Sequence, residues 1–273
     1  MNASVKARGG SIVVLLLICW AVSLFGCSSA PVNEPEPSPP VPSNAIKVGV
    51  STNAPPLIYK AGGKVTGLEY DLAQSFARYL QRPLQLVELE WQDQIPALLE
   101  RRTDIIMSGM TITQKRAFQI DFAQPYLQSG QMALIRSSDR ERYAKGYADI
   151  AGQYQTIGFV KGTFGQQYVE RTFEDSRKLS FNTSQKAAES LARGIIDVLI
   201  HDGPIVCMLA AQSTSEGLIP VFPPLTKEYL AWGIRKEDTG LLQAANAFLA
   251  NLKQTGQLEP MIRKWIPYKE CTQ

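Results

Sequence analysis

The sequence predicts an α/β protein built from two similar lobes, each a mostly parallel sheet flanked by helices. One observation behind this prediction is the alternation of short apolar strands with helical stretches along the chain. The other is an internal repeat. Residues 98–109 and 191–203 share a helix end, an acid, three apolar strand residues and a polar loop with glycine. Two such half-units indicate two lobes, each offering a strand-end loop to a shared cleft.

The first 27 residues have the pattern of an export signal. Lys6 and Arg8 precede an apolar run over residues 11–25, and residues 24–27 resemble a lipobox in which Cys27 is acylated. The run is shorter than the roughly 18 to 20 residues that a membrane span requires. We therefore expect a lipoprotein signal peptide at 1–27 with a lipid anchor at Cys27. Simple secretion and an uncleaved anchor are the alternatives.

Residues 28–44 contain six prolines and almost no apolar side chains. Such a segment cannot bury enough surface to fold, and its prolines make it stiff. The sequence therefore predicts an extended, Pro-rich tether that holds the folded part clear of a lipid surface.

The charge of the chain does not suggest a polyanionic partner. The formal net charge of +3 falls to +1 without residues 1–27, because Lys6 and Arg8 leave and no acid precedes Cys27. Basic residues are scattered and are not interleaved with aromatic residues. We therefore expect no nucleic-acid partner.

The folded part, about 45–273, contains the alternating elements. Short apolar runs predict strands at 46–50, 84–89, 104–107, 132–136, 156–160, 197–200 and 229–235. Apolar residues at helical spacing predict helices over 68–80 and 241–252, the second ending before Gly256. These apolar stripes indicate core packing rather than a binding function.

Residues 104–126 hold the most informative loop. A buried-strand pattern breaks at Ser108 and Gly109 into a polar loop that runs through Thr111 to Arg116. In open α/β sheets ligands bind at the carboxyl ends of the strands, where backbone N–H groups are free. A guanidinium just past such a loop suits a bidentate contact with a carboxylate, although a surface arginine in an ordinary turn has the same pattern.

This loop and four further segments, in the same order, resemble the periplasmic amino-acid-binding proteins, the solute-binding family 3 of polar amino-acid importers. The segments are GLEYDLA (67–73), WQDQIPAL (91–98), IGFVKGTFGQQY (157–168) and IDVLIHDG (196–203). The resemblance implies a two-lobed periplasmic-binding-protein-like fold of type II. Lobe 1 would span 45–132 plus 226–273 and lobe 2 would span 137–222, joined by two crossover hinge strands near 131–136 and 221–226.

The resemblance also implies how a free amino acid would be held. Arg116 would pair the ligand carboxylate with help from Thr111, and Asp202 would pair the ammonium together with the carbonyl of Gly109. Each ligand charge needs such a partner, because an unpaired buried charge is costly. Asp202 also stands where a helix N-cap is favoured, and the two roles are compatible.

Other expected contacts concern the ligand side chain. Trp91 falls where the family places an aromatic that stacks on the ligand, with a core anchor as the alternative. Thr163 and Phe164 begin a helix whose free N–H groups could accept a carboxylate or a polar tip, although Phe164 replaces a hydroxyl residue common in relatives. Ser51 stands where binders of basic amino acids carry an acid. We therefore expect a neutral or moderately polar amino acid.

The cysteines and the histidine receive separate predictions. In an exported, oxidising setting Cys207 and Cys271 predict a disulfide, with two free thiols as the alternative. His201 is the single histidine, and no Cys or Asp cluster has the spacing of metal ligands. We therefore predict no metal site and no cofactor.

Together these features predict a monomeric extracytoplasmic lipoprotein that closes its lobes on an amino acid and delivers it to an ABC importer permease. Whether the lipid sits in the inner or the outer membrane stays open. Catalysis is not expected, because the sequence has no Ser/His/Asp or Cys/His arrangement. One alternative is a cyclohexadienyl dehydratase-like enzyme on the same fold, which would need a general acid shortly after Asp202. The other is a ligand-sensing module for a membrane or cell-wall partner.

Overall fold

The chain folds into two five-stranded sheets of matching design. The computed structural model describes residues 44–271 apart from 214, 216 and 268, and these residues form one compact unit. Cys27 and residues 28–43 of the predicted tether lie outside the described residues.

The described strands are β1 (Ile46–Val50), β2 (Asn53–Ala54), β3 (Ile58–Ala61), β4 (Lys64–Thr66), β5 (Leu84–Glu88), β6 (Ile105–Ile106), β7 (Asp121–Phe122), β8 (Leu127–Ser129), β9 (Gln131–Arg136), β10 (Thr156–Val160), β11 (Arg177–Phe181), β12 (Val198–Asp202), β13 (Leu218–Val221), β14 (Glu228–Leu230) and β15 (Gly233–Ile234). The described helices are α1 (Leu68–Tyr79), α2 (Gln94–Leu99), α3 (Gln114–Ala117), α4 (Tyr147–Ala151), α5 (Phe164–Thr172), α6 (Ser184–Ala192), α7 (Gly203–Gln212), α8 (Thr239–Gln254) and α9 (Leu258–Trp265).

The two sheets share one strand plan. Their orders are β5-β1-β6-β15-β7 and β11-β10-β12-β9-β13. In each sheet the first three strands are parallel, and the fourth runs antiparallel to the third. The internal repeat of the sequence becomes β6 and β12, which occupy the same position in the two sheets. The predicted two-lobed α/β fold is confirmed.

The chain crosses between the sheets twice, and the crossings run side by side. β8 lies on the outward path and β14 on the return, and they pair antiparallel with Ser129 opposite Glu228. Residues 131–136, expected near a crossover, form β9 of the second sheet. Residues 229–235, predicted as one strand, are two: β14 pairs with β8, and β15 enters the first sheet.

Apolar residues at helical spacing explain how α1 covers the first sheet. Its side chains at 68, 72 and 76 are fully buried, as the amphipathic pattern predicts. The ring of Phe76 lies 5.5 Å from that of Trp232 and 5.3 Å from that of Phe248 on α8. Burying one such ring contributes about 1.5 to 3 kcal/mol. This core makes the first sheet a rigid support for the loops at its strand ends.

The second sheet is packed on both faces. Phe159, Val169 and Ile200 belong to one apolar cluster, and Leu191 and Leu209, from α6 and α7, belong to another. Strands buried on both faces are nearly continuous in apolar residues, which is why 156–160 and 197–200 stood out in the sequence. The loops that follow β10 and β12 are thereby held in place.

Candidate functional site

The loop after β6 is held from below by a buried carboxylate. Gly109 has a left-handed φ of 67°, and its N–H donates to Oε1 of Glu69 at 2.6 Å. Glu69 lies on α1 and also accepts from the hydroxyl of Tyr126 at 2.7 Å and from Nε1 of Trp232 at 3.0 Å. Burial raises the pKa of Glu69 to about 7, and the three donors oppose that rise. The loop is therefore held in position by the hydrophobic core of the first sheet rather than by contacts across the cleft.

Arg116 is a buried cation on α3. The hydroxyl of Thr113 caps that helix by accepting from the backbone N–H of Arg116. The guanidinium donates to the carbonyl of Thr111 at 2.7 Å. Burial lowers the pKa of Arg116 to about 10, while the negative charges of Asp202 and Glu228 act in the opposite direction. Arg116 therefore stays charged at neutral pH and has further N–H donors for an anion.

Three contacts join the two sheets across the cleft. The carbonyl of Gly162, before α5, accepts from Nε1 of Trp91 at 2.9 Å and from Nη2 of Arg116 at 3.3 Å. Arg116 also lies over the Trp91 ring, with 5.3 Å between Cζ and the ring centroid. On the opposite side, Oγ of Ser184 donates to the carbonyl of Asn53 at 3.3 Å. The structure is therefore the closed arrangement, with first-sheet and second-sheet residues in direct contact.

Asp202 ends β12 and stands at the N-cap of α7, but its side chain does not cap that helix. Its Oδ1 accepts from Nε2 of Gln131 at 2.6 Å. The backbone N–H of Asp202 donates to Nδ1 of His201 at 2.7 Å, which leaves the proton of a neutral ring on Nε2. The N-cap position thus orients the Asp202 backbone, while the carboxylate remains available to a ligand in the cleft between the two sheets.

Thr163 and Phe164 mark the start of α5. The Thr163 hydroxyl donates to the carbonyl of Val160 at 2.7 Å and accepts from the backbone N–H of Gln166 at 3.3 Å. Its hydrogen-bonding capacity is therefore largely used within the loop. Phe164 is half-buried and lines the cavity between the two sheets.

These groups line one cavity between the two sheets. It is lined by seven of the residues singled out from the sequence, namely Trp91, Gly109, Thr111, Arg116, Thr163, Phe164 and Asp202. Ser51 does not line it. The N–H of Ser51 donates to Oγ of Ser108 at 2.8 Å, and its side chain lines a separate groove beside Glu88. A buried cation, Arg116, and a carboxylate, Asp202, thus line the same cavity.

The rest of the cavity lining was not among the predicted ligand contacts. It comprises Asn53, Ala54, Leu57, Ser108, Val160, Asn182, Ser184, His201 and Ile205. Asn182 follows β11 and so lies at the end of a strand, where ligand contacts are expected. β11 is a polar strand, however, and apolar runs in the sequence do not reveal it. A wider groove between β8, α8 and α9 contains none of these residues.

Other expectations concern the cysteines, metals and membrane spans. Cys207 of α7 and Cys271 are joined by a disulfide. Within the described part of the chain, no group of three His, Cys, Asp or Glu side chains is arranged to hold a metal ion. No helix in residues 44–271, as far as they are described, is both long and apolar enough to cross a membrane.

Comparisons with known proteins point to one family. The family model of the bacterial extracellular solute-binding proteins, family 3, matches residues 46–268. ABC transporter arginine-binding protein 1 of Escherichia coli (strain K12) is 26% identical over 226 residues, which are 81% of this chain and 90% of that protein.

Two further matches are a solved structure and a longer relative. A solved structure of a putative binding component of an ABC transporter from Wolinella succinogenes, complexed with lysine, has a TM-score of 0.78 at 30% identity and covers 82% of this chain and 96% of that one. Membrane-bound lytic murein transglycosylase F of Desulfosudis oleivorans is 31% identical over 195 residues, which are 70% of this chain but 42% of that protein.

Proposed function

The chain belongs to the bacterial extracellular solute-binding proteins of family 3, and from that premise we propose that it captures a free amino acid by lobe closure and delivers it to an ABC importer. The observation that carries the proposal is the presence of Arg116 and Asp202 on the wall of one enclosed cavity. A zwitterionic amino acid carries the two complementary charges.

Lobe closure brings contacts from both sheets to the ligand. Arg116 comes from the first-sheet side and Asp202 from the second, so a ligand can reach both only when the lobes are closed. The ligand then shifts the population toward the closed form, because only that form satisfies both of its charges. In the closed arrangement the carbonyl of Gly162 also accepts from Trp91 and Arg116 across the cleft. The lobe boundaries at 45–132 plus 226–273 and at 137–222 stay a prediction.

The cavity favours a neutral or moderately polar ligand side chain. Among its described lining residues, Asp202 is the only carboxylate, and the ligand ammonium uses it. A lysine or arginine side chain would bring a second cation without a partner, which is costly in an enclosed site. Asn53, Asn182 and the Nε2–H of His201 offer neutral hydrogen-bonding groups, and Phe164 and Ile205 add apolar surface.

The same proposal covers the N-terminal segment. We propose that residues 1–27 direct export, that Cys27 is lipidated, and that the Pro-rich residues 28–44 tether the binding unit outside the cytoplasm. The protein then binds its ligand without transforming it. The residues that follow Asp202 are Gly203, Pro204 and Ile205, so the general acid expected of a dehydratase is not supplied there.

A thermal-shift screen tests the proposed function. The purified protein is stripped of bound ligand by unfolding and refolding, and is then heated with each of the twenty amino acids and with prephenate. A ligand at a hundred times its dissociation constant adds about 2.7 kcal/mol, or a few degrees in melting temperature. We expect neutral amino acids to raise the melting temperature most. A response to prephenate alone, or to nothing, would contradict the proposal.

A further inference from the structure

Behind Asp202 lies a second buried carboxylate that the proposed binding mode does not use. Glu228, on β14, is 7% exposed and belongs to the return crossing between the lobes. Nε2 of Gln131 donates both to Oδ1 of Asp202 at 2.6 Å and to Oε2 of Glu228 at 3.2 Å. One amide group thus bridges two acids, one from lobe 2 and one from the hinge.

The hinge itself holds this bridge in place. The backbone N–H of Gln131 donates to the hydroxyl of Thr226 at 2.7 Å, and that hydroxyl donates to Oε1 of Glu228. Gln131 begins β9, directly after the outward crossing, whereas Thr226 and Glu228 lie on the return. A hydrogen-bonded unit therefore connects both crossings to the carboxylate that faces the ligand ammonium.

The charges around Glu228 do not balance. Asp202 and Glu228 are the two acids of the unit, and the negative charges of both act on Arg116 from α3. His201 lies beside Asp202, with 3.4 Å between Nδ1 and Oδ2, and accepts through Nδ1. Lys227, which directly precedes β14, is exposed. The described surroundings of Glu228 thus offer one cation for two carboxylates.

We propose that Glu228 is a positioning residue of the ammonium subsite, holding a proton in the ligand-free protein and releasing it to solvent when an ammonium docks on Asp202. The proposal rests on the proposed function, because it assumes that Asp202 receives an ammonium. Burial and the negative charge of Asp202 raise the pKa of Glu228 to about 7, so the carboxyl can hold a proton at neutral pH. An ammonium at Asp202 cancels the like charge and stabilises the ionised form of Glu228.

The consequence is a ligand affinity that rises with pH. Protonated Glu228 must ionise before the ammonium is bound most tightly, so acid weakens binding. An opposite charge nearby lowers a carboxyl pKa by at least about one unit, which corresponds to about tenfold in affinity between pH 5.5 and pH 8. Glu228→Gln cannot ionise and should show the same affinity at both values of pH.

Isothermal titration calorimetry with L-glutamine tests this, because its side chain does not titrate between pH 5.5 and pH 8. The wild type should bind about tenfold more tightly at pH 8. At pH 7 it should release a fraction of a proton, measured from the difference in heat between phosphate and Tris buffers. Glu189→Gln, the same change at an exposed position of α6, is the matched control and should behave as the wild type. Equal affinities at the two values of pH, or an unchanged pH dependence in Glu228→Gln, would overturn the proposal.

A ligand-free measurement separates this proposal from the proposed function. A group whose pKa is raised on folding stabilises the protein below its unfolded pKa, and this contribution is lost as the pH rises through the folded value. The melting temperature of the wild type should therefore fall relative to that of Glu228→Gln between pH 5 and pH 8. If the melting temperatures of the two proteins change with pH in parallel, Glu228 does not hold a proton. If no amino acid binds the wild type at either pH, the proposed function fails, and these profiles alone decide whether Glu228 holds the proton.

Discussion

Replacing Arg116 by alanine should remove most of the ligand affinity while leaving the ligand-free protein nearly as stable. The guanidinium is 6% exposed and donates to the carbonyls of Thr111 and Gly162. It is also the cation of the described cavity lining. Without it, a bound carboxylate would be buried with no opposite charge.

Stability should change much less than ligand affinity, because the costs and gains of burying the guanidinium nearly cancel in the ligand-free state. Losing two hydrogen bonds of a charged donor and the contact with Trp91 removes roughly 3 to 5 kcal/mol. Against this, the fall of the Arg116 pKa to about 10 shows that burial of the cation costs roughly 3 kcal/mol. The free energy of unfolding should therefore change by no more than about 2 kcal/mol. Ligand binding has no such compensation and should lose about 2 to 5 kcal/mol, or roughly thirtyfold to several thousandfold in dissociation constant.

Calorimetric titration with the best amino acid of the thermal screen, together with urea unfolding of the ligand-free protein, measures both quantities. Lys115→Ala is the matched control, because Lys115 is the exposed neighbour on the same helix α3. It should change neither quantity appreciably. Arg116 is a structural arginine instead if Arg116→Ala lowers the stability of the ligand-free protein by far more than about 2 kcal/mol. Arg116 does not pair the ligand carboxylate if Arg116→Ala binds as tightly as the wild type.

Two further predictions concern residues that hold the site in place. Glu69→Gln should lower the free energy of unfolding by about 1 to 3 kcal/mol, because an amide NH₂ would face the indole N–H of Trp232. Adding Trp232→Phe removes that conflict, so a double-mutant cycle should give a coupling of about 1 kcal/mol, whereas simple additivity would argue against the contact. Replacing Cys207 and Cys271 by serine should cost about 4 kcal/mol in urea unfolding, because the disulfide closes a loop with a sequence separation of 64. Alkylation of both thiols in the native wild type would rule out that bond.

Continuous apolar runs made the central strands predictable. The predicted strands 46–50 and 156–160 agree with Ile46–Val50 and Thr156–Val160, because strands buried on both faces have few polar residues. β11 is an edge strand with exposed positions, and its polar residues hid it. The break within residues 229–235 follows from tertiary contacts: the Trp232 side chain enters the first core and donates to Glu69, so β14 and β15 join different sheets.

Within the site, seven lining residues were predicted, five of them neutral, and nine further lining residues were not. Arg116 and Asp202 follow buried strands in a recognisable order, and both line the cavity. Asn53 and Ser184 meet only because the lobes close on each other, which no local pattern encodes. Glu228 has the sequence pattern of a surface residue beside Lys227, and only the pairing of the two crossings brings it to Asp202. Ser51 follows β1 as predicted, but it does not line the cavity, and its backbone N–H donates to the hydroxyl of Ser108.

The central claim is that the cavity recognises the α-ammonium and α-carboxylate of a free amino acid together. The most direct test is calorimetric titration of the wild type with the best amino acid of the screen, its N-acetyl derivative and its carboxamide. We expect each blocked derivative to bind at least about a hundredfold more weakly, because one buried charge, Asp202 or Arg116, then lacks its partner. Binding of either blocked form as tight as that of the free amino acid would contradict it.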